Sequence, residues 1–426
     1  MRRQREAELG VSAESLFDWG GWFSFYTFLF DDGEESSRTL RRTDLRLWGR
    51  ATLDQGAHEL YARVRLSFLD FNSGDSFDGN DNDVDGPNLE RGVYRFDLAR
   101  AQKNRQAEWN LVGMAGRDLV QVGTGLTMAV PLDHVSLEGT YEKFRLRGLA
   151  GTTVGSFDDF DESRTAERTH RDFFGAELKY VGFDRHEPFA YAIWQRDDNV
   201  EERVRPFHPL TYDSEYFGFG STGELMRRLR YLIEWTYETG ESRSEQQFGK
   251  PADIRAWAWI HELEYLFPGE RKTRASIEYL FGSGDSDRDF SPTATFGNNR
   301  GDHRDTGFIG FGFSDTGLTF APRYSNLHMW RAGASFFPWP EDRRLRGLQV
   351  GTDWYLFYKH HRAGAVSDPT ADEVAGYLGW EMDYYANWQV TSDLSWTARF
   401  GVFFPGDAFS DQTTRTFLLV GMTWSF

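Results

Sequence analysis

The chain has 426 residues, no cysteine, 16% aromatic residues and a formal net charge of -18. The lack of cysteine excludes disulfides, cysteine-ligated metals and covalently attached c-type haem. The acidic balance argues against a nucleic-acid partner, which needs a basic footprint. Mean hydropathy is -0.60, and no run approaches the roughly 18 apolar residues of a membrane-spanning helix.

The first residues, Met1-Arg2-Arg3-Gln4-Arg5, are basic but no apolar stretch follows them. They do not read as a secretory signal, so the expectation is a processed form whose residues 1–18 are a periplasmic N-terminal segment. From residue 19 onward, amphipathic segments recur. In 39–53, Leu45, Leu47, Gly49, Ala51 and Leu53 share one face, and Asp44, Arg46, Trp48, Arg50 and Thr52 the other. In 57–71, Leu60, Ala62, Val64, Leu66 and Phe68 alternate with Glu59, Tyr61, Arg63, Arg65 and Ser67. Strict period two puts such sets on opposite faces of a sheet.

The same reading places strands at 19–30, 39–53, 57–71, 89–100, 106–123, 133–142, 144–154, 171–183 and 187–198. It continues with 210–221, 225–238, 253–267, 272–285, 325–338, 345–359, 374–390, 393–405 and 413–426. The last segment alternates Phe417, Leu419, Gly421, Thr423 and Ser425 with Leu418, Val420, Met422, Trp424 and Phe426. Such a strand, ending on an aromatic residue, suits one that closes a barrel at a membrane interface. Short turns at Asp54-Gln55-Gly56, Asp184-Arg185-His186, Ser221-Thr222-Gly223, Pro268-Gly269-Glu270-Arg271 and Thr391-Ser392-Asp393 alternate with long loops. The loops span 72–88, 155–170, 199–209, 239–252, 286–324 and 360–373. Tight turns on one side and long loops on the other are a barrel asymmetry, and a two-sheet sandwich has no reason to keep that phase. The expected fold is therefore all-β: one transmembrane antiparallel β-barrel of about eighteen strands over 19–426, with short periplasmic turns and long extracellular loops.

A charge facing hydrocarbon would cost roughly 2–4 kcal/mol for Arg or Lys at the midplane, so the charged faces are assigned to a lumen. Arg46, Arg50, Arg63, Arg65, Arg91, Arg95, Arg117, Arg145 and Arg147 line it in the first half. Glu234, Glu238, Glu262, Glu264, Glu278, Asp353, Glu381 and Asp383 dominate the second. Arginines in this setting guide anionic solute through bidentate contacts; the competing reading is a cross-strand salt-bridge ladder that stiffens the wall. In the 75–90 loop, Asp81, Asp83 and Asp85 fit the first half of a calcium-binding loop, although Gly92 occupies the twelfth position. A solvated acidic loop fits equally. Catalytic motifs are lacking, and His360-His361 has no third ligand at metal spacing.

Four segments carry a resemblance. Gly116-Arg117-Asp118-Leu119-Val120-Gln121-Val122-Gly123, followed by Leu132-Asp133-His134-Val135-Ser136-Leu137, is similar to a motif of the alginate-export family of outer-membrane barrels. Phe281-Gly282-Ser283-Gly284-Asp285, ahead of Phe290-Ser291-Pro292 and Phe296, resembles the loop of that family. Ser325-Asn326-Leu327 and Phe403-Phe404-Pro405-Gly406 are further likenesses. Asp118 stands where the family pattern has Gln, and His134 where it has Gly. The resemblance implies an eighteen-stranded barrel in lipid and lipopolysaccharide that passes a polysaccharide or other anionic solute by passive diffusion. The alternative is a structural or binding barrel, sheathing a periplasmic or surface protein partner or anchoring a surface polymer. The two differ in whether the lumen is open, and the 286–324 loop is long enough to fold inward as a plug or constriction.

Overall fold

A sheet that is apolar outside and charged inside satisfies its own backbone in a membrane only by closing on itself. The computed structural model describes residues 15–31, 37–75, 81–103, 108–155, 169–198, 212–243, 251–288, 291–293 and 304–426. It contains eighteen long strands: β1 (Ser15–Phe30), β2 (Arg38–Leu53), β3 (His58–Phe71), β4 (Asp83–Asp97), β5 (Trp109–Val122) and β6 (Met128–Tyr141). Then follow β7 (Phe144–Thr153), β8 (Arg171–Tyr180), β9 (His186–Asp197), β10 (Asp213–Met226), β11 (Leu229–Arg243) and β12 (Pro251–Leu266). The last six are β13 (Arg274–Gly282), β14 (Leu327–Phe336), β15 (Leu348–Lys359), β16 (Tyr377–Gln389), β17 (Leu394–Pro405) and β18 (Arg415–Ser425). Each pairs antiparallel with the next, and β18 pairs with β1 from Trp22 opposite Ser425 to Phe30 opposite Phe417. Arg304–Asp305 adds a two-residue stretch parallel to β12.

All eighteen expected strands are present. Ser15–Asp18, assigned from sequence to the N-terminal segment, already pair with Arg50–Leu53 in the barrel. Ser221-Thr222-Gly223 is not a turn but lies within β10, and the chain reverses at Arg227-Arg228. Gly223 is there because a Cβ would collide with the Arg185 carbonyl of the adjoining connection. At another reversal of the same end, Asp54, Gln55 and Gly56 all take positive φ, as the Asp-Gln-Gly signature suggested.

The faces follow the alternation. Leu47, Leu53, Leu60, Val64 and Phe68 are exposed on the outside, as are Trp354, Leu356, Val420 and Trp424. Outward aromatics meet across strands, Phe174 with Trp194 at 6.0 Å and Trp354 with Trp380 at 6.1 Å. The buried apolar cluster lies inside. It gathers inward residues of β5 to β17, such as Val122, Phe173, Ile254 and Phe357, with Leu126, Phe308, Ile309, Phe320 and Tyr324 from connections that turn into the lumen. Phe311 bridges Met128, accepting from the Ala129 amide at 2.9 Å and donating to the Thr127 carbonyl at 2.9 Å. Residues 304–326 of the long connection after β13 thus fold inward and pack on the short one after β5.

A lysine in place of outward-facing Val64 should cost roughly 2–4 kcal/mol of stability in lipid, read by denaturant titration of the vesicle-inserted protein. A lysine replacing inward-facing Gln349 should leave the midpoint nearly unchanged. Equal effects would refute the face assignment.

Candidate functional site

The arginines of β2–β4 are set by register. Arg46 lies opposite Arg65, Arg63 opposite Arg91, and Arg50 opposite Tyr61. Like charges directly across a pair of strands repel, so this wall needs carboxylates. One comes from a bulge: Arg63 pairs with Arg91 and Val64 with Leu89, which leaves Glu90 as the extra residue. Arg46 Nε donates to both Glu90 oxygens at 3.1 Å, Arg63 Nε lies 2.6 Å from Oε2, and Arg65 stands at 4.0 Å. One carboxylate is thus shared by three guanidinium groups. Buried Asp44 accepts from Ser67 at 2.5 Å, Arg42 at 3.0 Å and Arg46 at 3.1 Å. Further pairs are Arg65 with Asp85 at 2.7 Å, Arg91 with Asp118 at 2.7 Å, Arg95 with Asp97 at 3.1 Å and Arg50 with Glu59 at 3.4 Å. Arg147 reaches Glu177 at 2.9 Å. Arg145 is exposed on the inward face near the short-turn end, with no carboxylate partner among the described residues.

Arg117 is a correction. It lies opposite Gly92 and Asp133, on the face shared with exposed Leu119 and Val135, and so points outward. There it makes a two-pronged pair with Asp133 at 2.8 and 2.7 Å.

The acidic residues divide in two. Glu234 and Glu381 face inward as expected, but both are fully buried and do not line an open passage. Glu234 accepts from the Thr124 amide and the Tyr191 hydroxyl, both at 2.5 Å. Glu238 accepts from the Ile309 amide at 2.9 Å and from Tyr212 and Tyr216. Glu381 accepts from three successive amides, Leu318, Thr319 and Phe320, at 2.7 to 2.8 Å. These carboxylates hold the two inward-turned connections, because a buried charge is tolerated only when hydrogen-bonded. No local sequence signal marks them, since their partners lie far along the chain. Glu262 and Asp353 do face open space, in a cavity of about 260 Å³ shared with Glu264, Asp315, Arg274 and Arg331.

Asp83 and Asp85 stand on β4 rather than in a loop, and Asp85 is bonded to Arg65 and Asn88. The Asp81 and Asp83 carboxylates accept from the amides that follow them. Residues 76–80 of the expected calcium loop lie outside the described residues. Among the described residues no three potential ligands come together to hold a metal.

Two outcomes follow. Glu381→Ala should leave the amides of Thr319 and Phe320 unpaired, at roughly 1–3 kcal/mol each, and speed proteolysis within 304–325, while Leu318 keeps its 3.1 Å bond to Asp383. Glu381→Gln, which keeps an acceptor oxygen, should do so less. At the long-loop end, burial, with the charges of His361 and His328 nearby, pushes the His360 imidazole down to about 4. Its Nδ1 accepts from the Gly284 amide at 3.1 Å, so it is a neutral acceptor at pH 7. The unfolded chain binds a proton that the folded one refuses, so this stabilisation is whole above pH about 6.5 and declines as pH falls toward 4. Protection of the Gly284 amide, taken against its intrinsic exchange rate at each pH, should fall across that window, and constant protection would refute the assignment.

The comparisons with known proteins agree with this architecture. The fold is similar to crystal structures of Pseudomonas aeruginosa OccK5 (OpdH), with a TM-score of 0.58 and 12% identity over 96% of this chain and 98% of that one. OccK11 (OpdR) of the same organism gives 0.57 and 12% over 96% of each chain. Its outer membrane protein opdK gives 0.57 and 12% over 96% and 99%. No curated protein matches the sequence. Residues 135–421 match the Alginate export family, well over half of the chain. The chain therefore belongs to the Alginate export family and is an outer-membrane β-barrel channel of a bacterium.

Proposed function

We propose that the channel passes a polar, anionic solute or polysaccharide, alginate-like in chemistry, by passive diffusion along the arginine-bearing wall of β2–β4. One observation carries the reading. The anchors of the inward-turned connections, Glu177, Glu234, Glu238 and Glu381, lie on β8 to β16. Apolar packing therefore fills that side, and the charged wall is left to meet the solute. On that wall Arg63 and Arg91 each make one carboxylate contact, and their side chains are 27% and 39% exposed, so guanidinium donors remain for a solute. Planar guanidinium donors suit carboxylates and phosphates. The family name points the same way.

The inward-turned residues 304–326 also favour a second reading, a barrel filled at one level that serves as a sheath or anchor. Planar-bilayer recording of the purified protein under a salt gradient separates the two. The expected result is steady conductance with anion preference, reduced toward neutrality by the double substitution Arg63→Gln and Arg65→Gln. A demonstrably inserted protein that passes no current would refute the channel reading and leave the filled barrel.

A further inference from the structure

Three aromatic side chains stand among the arginines of the charged wall. Trp22 of β1 lies opposite Arg46, Trp48 of β2 opposite Gly20 and Arg63, and Tyr61 of β3 opposite Arg50. From Trp22 to Trp48 to Tyr61, each step moves one strand across and two residues along, so the rings form a diagonal on the inward face. Trp48 and Tyr61 are stacked, with centroids 6.2 Å apart and planes 18° from parallel. Gly20 makes room for this, since a Cβ there would press on the Trp48 indole at 3.0 Å. Arginines flank the line: Arg46 and Arg63 lie 5.8 and 5.6 Å from the Trp22 ring, and Arg91 lies 5.0 Å from Tyr61.

Some other rings in the barrel have engaged polar tips. Trp235 donates to His261 at 2.6 Å, Trp354 to Thr352 at 3.0 Å and Trp388 to the Arg344 carbonyl at 3.1 Å. Tyr191, Tyr212 and Tyr216 donate to buried glutamates. No hydrogen bond within the described residues engages the Trp22 or Trp48 indole N–H or the Tyr61 hydroxyl, and all three side chains are only half-buried. Packing arginine stems requires a ring but not a free donor; phenylalanine would serve.

We propose that Trp22, Trp48 and Tyr61 are specificity-determining residues: a stacking rail that selects ring-shaped, hydroxylated anions over compact anions of equal charge. The proposal rests on the channel reading above. The apolar face of a pyranose ring lies on an aromatic ring, its hydroxyls accept from the free indole and phenol donors, and its carboxylate meets Arg46, Arg63 or Arg91. A compact anion gains only the last of these.

The test is block of ion current in planar bilayers by trigalacturonate and by citrate, two anions of similar charge. Wild-type protein should be blocked more tightly by trigalacturonate. Trp22→Leu and Trp48→Leu should each weaken that block about 2- to 10-fold, the worth of one aromatic contact, while leaving citrate block and ion selectivity unchanged. Trp22→Phe and Trp48→Phe, which keep the ring and lose the donor, should weaken the block less than the leucine variants do. Arg63→Gln should weaken block by both anions. If the tryptophan variants leave the ratio of the two blocks unchanged while Arg63→Gln weakens both, the rail is refuted and the anion pathway stands. Benzoate competing as well as a uronate of equal charge would refute the role of the free donors. An inserted protein without current would overturn the channel reading first, and the rail with it.

Discussion

Hydrocarbon offers no hydrogen-bond partner, so each strand must be paired on both edges. That constraint organises the molecule. It forces β18 onto β1 and makes the alternation of faces obligatory, because a slip of one residue would turn the inward charges into lipid. With the charges committed inward, the lumen becomes the place where they must be satisfied.

The barrel satisfies them in two ways. Along β2–β4, guanidinium groups share carboxylates, with Glu90 set among three arginines by a single extra residue in β4. Along β11 and β16, carboxylates are met by backbone amides of connections that leave the rim and enter the lumen. The second device does more than neutralise charge. A glutamate bonded to three consecutive amides fixes both the position and the conformation of a segment, and the apolar side chains of that segment then complete an interior core. One wall stays polar because the other is packed.

Much of this was legible in the sequence. Period-two alternation and the phase of turns and loops are local properties, and they gave the strand count, the faces and the inward direction of most charges. Arg117 was misplaced for a physical reason. In β5 both faces are apolar, since Val120 and Val122 pack inward while Leu119 meets lipid, so alternation there no longer names a side. Asp83 and Asp85 were read as loop residues from alternating aspartates at 81, 83 and 85, a period that a strand produces equally well. The fate of Glu234 and Glu381 was out of reach: Thr124 is 110 residues from Glu234, and Leu318 is 63 residues from Glu381. Their inward direction is a local fact, whereas what covers them is a tertiary one.

The seam between β1 and β18 also bears on how the barrel forms. The Tyr26 hydroxyl meets Thr423 across it, 397 residues away in sequence. The entropic cost of closing a loop grows only slowly with its length, but a contact so far apart in sequence forms slowly. Until it closes, β1 and β18 each present a full row of unpaired amides and carbonyls, a template for pairing with another chain. Assembly in the cell therefore depends on something shielding those two edges until they meet.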